Sequence, residues 1–224
     1  MHTNIQSMDI DNQHHYWNSV AAQKTFTHPI DTSFLLQYVD KGAAIVDYGC
    51  GYGRIVQELL HSGFSNIKGF DTSTELISRG IQHHLPIHHI STPSQIPVGD
   101  NSVDCFILFA LLTCIPSNEG QYRLIDLLHT KLKPGGFIYI SDYYLQDNKV
   151  AKSRYTYLNN DIDNFGVFSL SEGVTFRHHA KEWIVTLLKN FSVQREVIIE
   201  VKTMNGNSAP AFQMMLQKLP CSLA

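Results

Sequence analysis

Ten residues, IVDYGCGYGR (Ile45 to Arg54), constrain this chain more than any others. A short apolar run closes on an aspartate, and three glycines then alternate with other residues. An apolar run of this length suits a strand buried on both faces of a parallel sheet. Alternating glycines give the turn that follows a backbone freedom other residues lack. Two common ligand loops do not fit. A dinucleotide fingerprint needs G-x-G-x-x-G, and its third position falls on Arg54; a P-loop needs Lys followed by Ser or Thr, and neither follows. What remains is acid-x-G-x-G-x-G, whose carboxylate would repel a pyrophosphate but suits a ligand bearing positive charge. A tight turn using glycine for geometry alone is the other reading.

The flanking sequence sets the architecture. AAIVDY, NIKGFD, LPIHHI, DCFILFALL and FIYISDYY read as strands separated by helix-length segments such as RIVQELLHSG and GQYRLIDLLHTKLKPGG. That alternation implies βαβ crossovers and a doubly wound parallel sheet. DTSFLLQYVDK reads as a short helix capped by Asp31. The ending differs: after the helix AKEWIVTLLKNF, two strands flank the turn pair Asn205-Gly206, which makes them an antiparallel pair at the sheet edge.

With 224 residues, 43% apolar and 17% charged, the chain can bury a sizeable core in one α/β domain. A formal net charge of −3 gives no basic footprint for nucleic acid. No apolar run approaches the ~20 residues of a membrane span. The start, MHTNIQSMDIDNQHHYW, lacks the basic and apolar regions of a signal peptide. Cys50, Cys105, Cys114 and Cys221 lie apart without CxxC spacing, as expected of free thiols in a cytoplasmic protein. HHLPIHH has no cysteine or acid partner nearby, so no metal site is expected.

The glycine stretch resembles motif I of the class I S-adenosylmethionine-dependent methyltransferases. GFDTS, which ends a strand at Asp71, IPVGDNSVDCFILFALLTCIP and LKPGGFIYISDYY resemble that family's later motifs, in the same order. The resemblance implies an α/β, doubly wound, mostly parallel seven-stranded sheet with an antiparallel C-terminal strand pair. It also implies S-adenosylmethionine as cofactor. Position by position, Asp47, Gly49, Cys50, Gly51 and Gly53 would hold the methionine end, the glycines leaving the ligand the space a Cβ would take. Asp71, with Thr72 beside it, would take the ribose; the other role open to it is the N-cap of the next helix. Ser94, Gln95 and Ile96 would flank the adenine. Relatives often place an acid near Thr92 for the adenine amino group; Ser91-Thr92 stands here, which shifts that contact to a backbone carbonyl. Phe109 would close over the sulfonium side, and Tyr16 or Trp17 would cover the cofactor from an N-terminal lid spanning 1–30.

Acceptor residues should come from loops at the carboxyl ends of the strands. Thr113 follows the fourth strand, and the segment 143–179 is too long and too aromatic for a plain connection. Tyr143, Tyr144, Arg154, Tyr155 and Arg177 are its candidate acceptor-binding residues, and His178 or His179 its candidate base. The alternative for 143–179 is a cap that shields the sheet edge. The expected function is methylation of oxygen or nitrogen on a small organic acceptor. RNA or protein methylation, or cofactor binding without turnover, are the alternatives.

Overall fold

Each apolar run becomes a strand in the computed structural model, which describes residues 9–158, 164–204 and 206–220. The first five strands are β1 (Ile45–Tyr48), β2 (Ile67–Asp71), β3 (Ile87–His89), β4 (Val103–Phe109) and β5 (Leu132–Asp142). Between β5 and the C-terminal strands lies a small antiparallel sheet of β6 (Thr156–Tyr157), β7 (Phe165–Ser169) and β8 (Thr175–Arg177). β9 (Phe191–Lys202) and β10 (Ser208–Lys218) complete the main sheet, in the order β3-β2-β1-β4-β5-β10-β9. Pairing is parallel from β3 to β5, and antiparallel between β5 and β10 and between β10 and β9. The sheet is therefore the seven-stranded arrangement expected. Asn205 of the turn pair lies outside the described residues.

The helices are α1 (His14–Val20), α2 (Thr32–Leu35), α3 (Arg54–His61), α4 (Thr74–Ile81), α5 (Asn118–Lys131), α6 (Lys149–Arg154) and α7 (Lys181–Leu187). Successive strand residues point to opposite faces, and both faces are covered. Val46, Phe106, Leu108 and Ile140 pack with Leu124 and Leu128 of α5 and Ile184 of α7. Ile45, Cys105, Ile107 and Tyr139 pack with Phe34 of α2 and Ile55 and Leu59 of α3. Side chains start four of the helices, Asn148 accepting from Ala151 N–H at 2.9 Å at the head of α6. Asp31 accepts from Phe34 N–H at 2.8 Å, Ser73 from Leu76 N–H at 3.2 Å and Ser117 from Gly120 N–H at 3.0 Å. The N-cap of α4 is thus Ser73, which leaves Asp71 for other partners. β5 begins earlier than the Lys-Pro-Gly-Gly turn implied: Leu132 already pairs with Val103, and the register shifts before Phe137 pairs with Cys105.

β2 and β3 lie on one side of β1 and β4 and β5 on the other, so strand order reverses between β1 and β4. Open α/β sheets bind ligands in the crevice beyond the carboxyl ends at such a point. Among the described residues no helix is long and apolar enough to cross a membrane, and no three His, Cys, Asp or Glu side chains converge on a metal position.

Gly80 of α4 shows how tightly α4 sits beside this crevice. A Cβ there would lie 2.5 Å from the Tyr52 carbonyl oxygen and would run into Ile87. Alanine should favour the helix by about 0.8–1.0 kcal/mol, but overpacking costs about 1–3 kcal/mol, and a backbone carbonyl yields less than a side-chain tip. Gly80→Ala should therefore lower the urea midpoint at unchanged slope. A raised midpoint would show that α4 is free to move away.

Candidate active site

A cavity of about 510 Å3 opens at the carboxyl ends of β1, β2, β4 and β5. Its floor begins where the sequence places its acid. Asp47, on β1, is 2% exposed, and its Oδ2 has no hydrogen-bond partner among the described residues. Burial raises its carboxyl to about 7; the Arg54 guanidinium pulls it down and the Asp71 charge pushes it up. Asp71, at the end of β2, spends both oxygens on the loop: Oδ2 accepts from Gly51 N–H and Oδ1 from Ser73 N–H, each at 2.8 Å. Burial still leaves its carboxyl above the ordinary range. Each oxygen keeps a lone pair for a ligand hydroxyl.

The glycines carry φ values of +76° at Gly49, +55° at Gly51 and +81° at Gly53, a region other residues seldom adopt. What crowds them is the protein itself. A Cβ on Gly49 would lie 2.6 Å from Leu111, one on Gly51 would strike the Phe26 ring, and one on Gly53 would meet Leu85 and Ile87. The expectation that the glycines reserve ligand space is corrected accordingly: Gly49 and Cys50 line the cavity, whereas Gly51 and Gly53 shape the turn behind it.

Of the other residues read from the sequence, Asp71, Thr72, Phe109, Thr113, Trp17, Tyr143, Arg154 and His178 also line the cavity. Several do not. Tyr16 packs with Phe168, Val174 and Phe176, whereas Trp17 lines the cavity. Ser94 and Gln95 bond to Thr92 and Ser91, and Ile96 enters the core; Ile90 and Pro93 line that end instead. Tyr48 donates its hydroxyl to the Pro93 carbonyl at 2.6 Å, pinning that loop. Tyr144 stacks on Phe212 and donates to Glu196. Arg177 is 1% exposed and donates to Asn118 Oδ1, Asn164 Oδ1 and the Pro116 carbonyl. It is held away from any ligand because it joins β8 to the start of α5.

The two candidate bases part company. His179 is fully buried outside the cavity wall, with Nδ1 3.0 Å from the Tyr143 carbonyl and Nε2 3.0 Å from Gln121 Nε2. His178 faces the cavity, with Nδ1 2.7 Å from the Tyr155 hydroxyl, which also accepts from Gln146 N–H. Tyr155 is thus a support behind His178. Burial first, then the charges of Arg154 and His179, lower His178 to about 3, so its ring is neutral at physiological pH.

The N-terminal segment supplies cavity residues that the sequence did not single out. Phe26 stacks on Tyr52 with 5.2 Å between centroids, and the Arg54 guanidinium donates to the His28 carbonyl. Gln13 ties this segment to the far wall, donating to the Cys114 and Thr175 carbonyls and accepting from Thr175 N–H. Their only local signal is a polar, aromatic stretch with no helical or strand period. Asp47 Oδ2 and Arg54 Nε both line the cavity, buried and without hydrogen-bond partners among the described residues. Together they ask for a ligand with charges of both signs.

The model of the methyltransferase domain family matches residues 25–182, more than half of the chain. The chain belongs to that family. O-methyltransferase 3 of Dictyostelium discoideum is 31% identical over 119 residues, 48% of this chain; the match spans about a quarter of that relative, 27% of its length. An S-adenosylmethionine-dependent methyltransferase from Methanosarcina mazei has the same fold, with TM-score 0.75 and 24% identity over 84% of this chain and 97% of its own. So does the 1,6-didemethyltoxoflavin-N1-methyltransferase of Burkholderia thailandensis, solved with that acceptor and S-adenosylhomocysteine; the TM-score is 0.61 and the identity 14%, covering 84% of this chain and 76% of its own. This is a methyltransferase domain with the class I fold. Its wall fits S-adenosylmethionine, the cofactor the sequence resemblance implies: the unpartnered Asp47 oxygen suits an ammonium, and the Arg54 nitrogen suits the carboxylate of the same amino-acid end.

Two measurements check this geometry. If Asp47 meets a cation, it must be ionised to do so, and a carboxyl raised to about 7 is largely neutral below that pH. Cofactor affinity should therefore fall with decreasing pH below about 7, with proton release on binding visible by calorimetry in buffers of differing ionisation enthalpy. Asp47→Asn should remove that dependence. Arg177→Ala should lower stability by about 1–3 kcal/mol for each acceptor left unpaired, while cofactor affinity per folded molecule stays the same.

Proposed function

We propose that this domain methylates oxygen or nitrogen on a small organic acceptor held in the outer half of the cavity. One observation carries the reading: a single cavity runs from Asp47 and Asp71 at one end to Tyr143, Arg154, Phe168 and His178 at the other. Cofactor and acceptor can thus meet inside one enclosure, and its size lies within the ~300–1,000 Å3 typical of small-ligand sites. The Arg154 guanidinium lies 3.9 Å from the Phe168 ring centroid, a pairing that suits a planar acceptor bearing an anionic group. The named activities of the Dictyostelium and Burkholderia proteins support transfer to oxygen or nitrogen of a small molecule. The net charge of −3 weighs against RNA. Free thiols at Cys50, Cys105 and Cys114 support a cytoplasmic location; Cys221 lies outside the described residues.

When bound, the cofactor supplies a methyl group whose bonding pair stays with sulfur. The chain's own part is alignment and exclusion of water, and alignment alone reaches effective molarities of ~10⁵–10⁸ M. Segment 143–179 does this from above. Its small sheet carries Phe168 and Phe176 to the cavity, and Tyr155 holds His178 in place to orient the acceptor.

Labelled S-adenosylmethionine offered to metabolite, RNA and protein pools should leave label in the small-molecule fraction. Label in RNA or protein would replace this reading, and binding without transfer would make the chain a regulator. With the acceptor in hand, Tyr155→Phe and Arg154→Ala should lower kcat/KM with cofactor affinity unchanged. Loss of stability alone would make the segment a structural cap.

A further inference from the structure

One cavity group has no role in that reading. His28 is 3% exposed and lines the cavity, yet its Nε2 has no partner among the described residues. Its Nδ1 lies 2.9 Å from Ser141 Oγ. A buried nitrogen left unpaired is costly unless a ligand reaches it.

The geometry points to His28 as the group that receives the acceptor's proton, through Nε2; this rests on the small-acceptor reading above. Position favours the acceptor over the cofactor. Asp47 and Asp71 end β1 and β2, whereas the His28 ring is anchored two strands away, on Ser141 of β5, and meets Tyr143 edge-on with centroids 4.7 Å apart. Tyr143 in turn stacks on His178 at 5.0 Å, so the ring stands beside the wall assigned to the acceptor. The anchor is rigid on both sides, because Arg54 at the start of α3 holds the His28 carbonyl. His178 differs in that Tyr155 holds it within the cap. Burial, with the Arg54 charge, lowers His28 to about 4, so the free ring is neutral and can accept a proton.

The step balances simply. The acceptor atom forms its new bond to the methyl carbon with a lone pair, and the carbon–sulfur pair leaves with sulfur. The pair of the acceptor's O–H or N–H bond then stays on the acceptor atom, and its proton goes to the Nε2 lone pair. The buried imidazolium gives that proton to water when product leaves. This requires the tautomer in which Nδ1–H donates to Ser141 Oγ.

Nitrogen NMR of ring-labelled histidine in the S-adenosylhomocysteine complex should show an unprotonated Nε2 at His28; a protonated Nε2 would overturn the proposal. Calorimetry with His28→Gln should find S-adenosylhomocysteine affinity unchanged. A loss on the scale of a hydrogen bond to a charged group would instead make His28 a holder of the cofactor carboxylate. With the acceptor found by the label screen, His28→Ala should lower kcat by about 10²–10⁴-fold with KM little changed, and added imidazole should restore part of it. Unchanged kcat would also overturn the proposal. If the screen finds no small acceptor, the function above fails, while the NMR and calorimetric results still decide the state and cofactor role of His28.

Discussion

Two hydrogen bonds accepted by one carboxylate hold the site together. Asp71 accepts from Gly51 N–H in the glycine loop and from Ser73 N–H at the start of α4. The first fixes the loop after β1 against the end of β2; the second sets the entry of the helix whose Gly80 packs on Tyr52 of the same loop. A neutral side chain would make weaker bonds to those backbone donors, since charge-assisted bonds are roughly twice as strong. The same charge stands near Asp47 and helps keep that acid partly protonated until a cation arrives. Loop shape and cofactor selectivity therefore share one anion.

The second organising feature is the N-terminal segment, which lies across both halves of the cavity. Asn18 accepts from Ser73 Oγ and Glu75 N–H on the cofactor side. Gln13 bonds β8 and the loop after β4, on the side proposed for the acceptor. A strap joined to both walls turns an open crevice into an enclosure, and enclosure is what excludes water during transfer.

The sheet was legible in the sequence because its signals are local. IVDY and FILF are apolar runs that only a strand buried on both faces can use, and the glycines beside Asp47 need no distant partner to show their conformation. Asp31 announces a helix through its bond to a residue three positions on. The site was legible only where its chemistry sits on those elements. Arg177 lies in a segment of aromatics that reads like a binding wall, yet Asn118 and Asn164 claim its guanidinium. His28 escaped notice for the opposite reason: its ring is placed by Ser141, 113 residues along the chain, and no spacing encodes that meeting. The strands of the small cap sheet, one of them only Thr156–Tyr157, are too short for periodicity to declare them.

The space beside Gly51 belongs to the Phe26 ring, and this binds the histories of two positions 25 residues apart. A side chain at 51 can be admitted sterically only if the ring at 26 shrinks or turns, so substitutions at the two sites will not add. The coupling is partial, because a smaller residue at 26 opens room but leaves φ at +55°, which still disfavours an L side chain by roughly 1–2 kcal/mol. With glycine at 51 a smaller residue at 26 creates no clash, whereas a side chain at 51 requires the ring at 26 to be changed first. The steric freedom of the most recognisable motif is thus set by a segment that carries no motif at all.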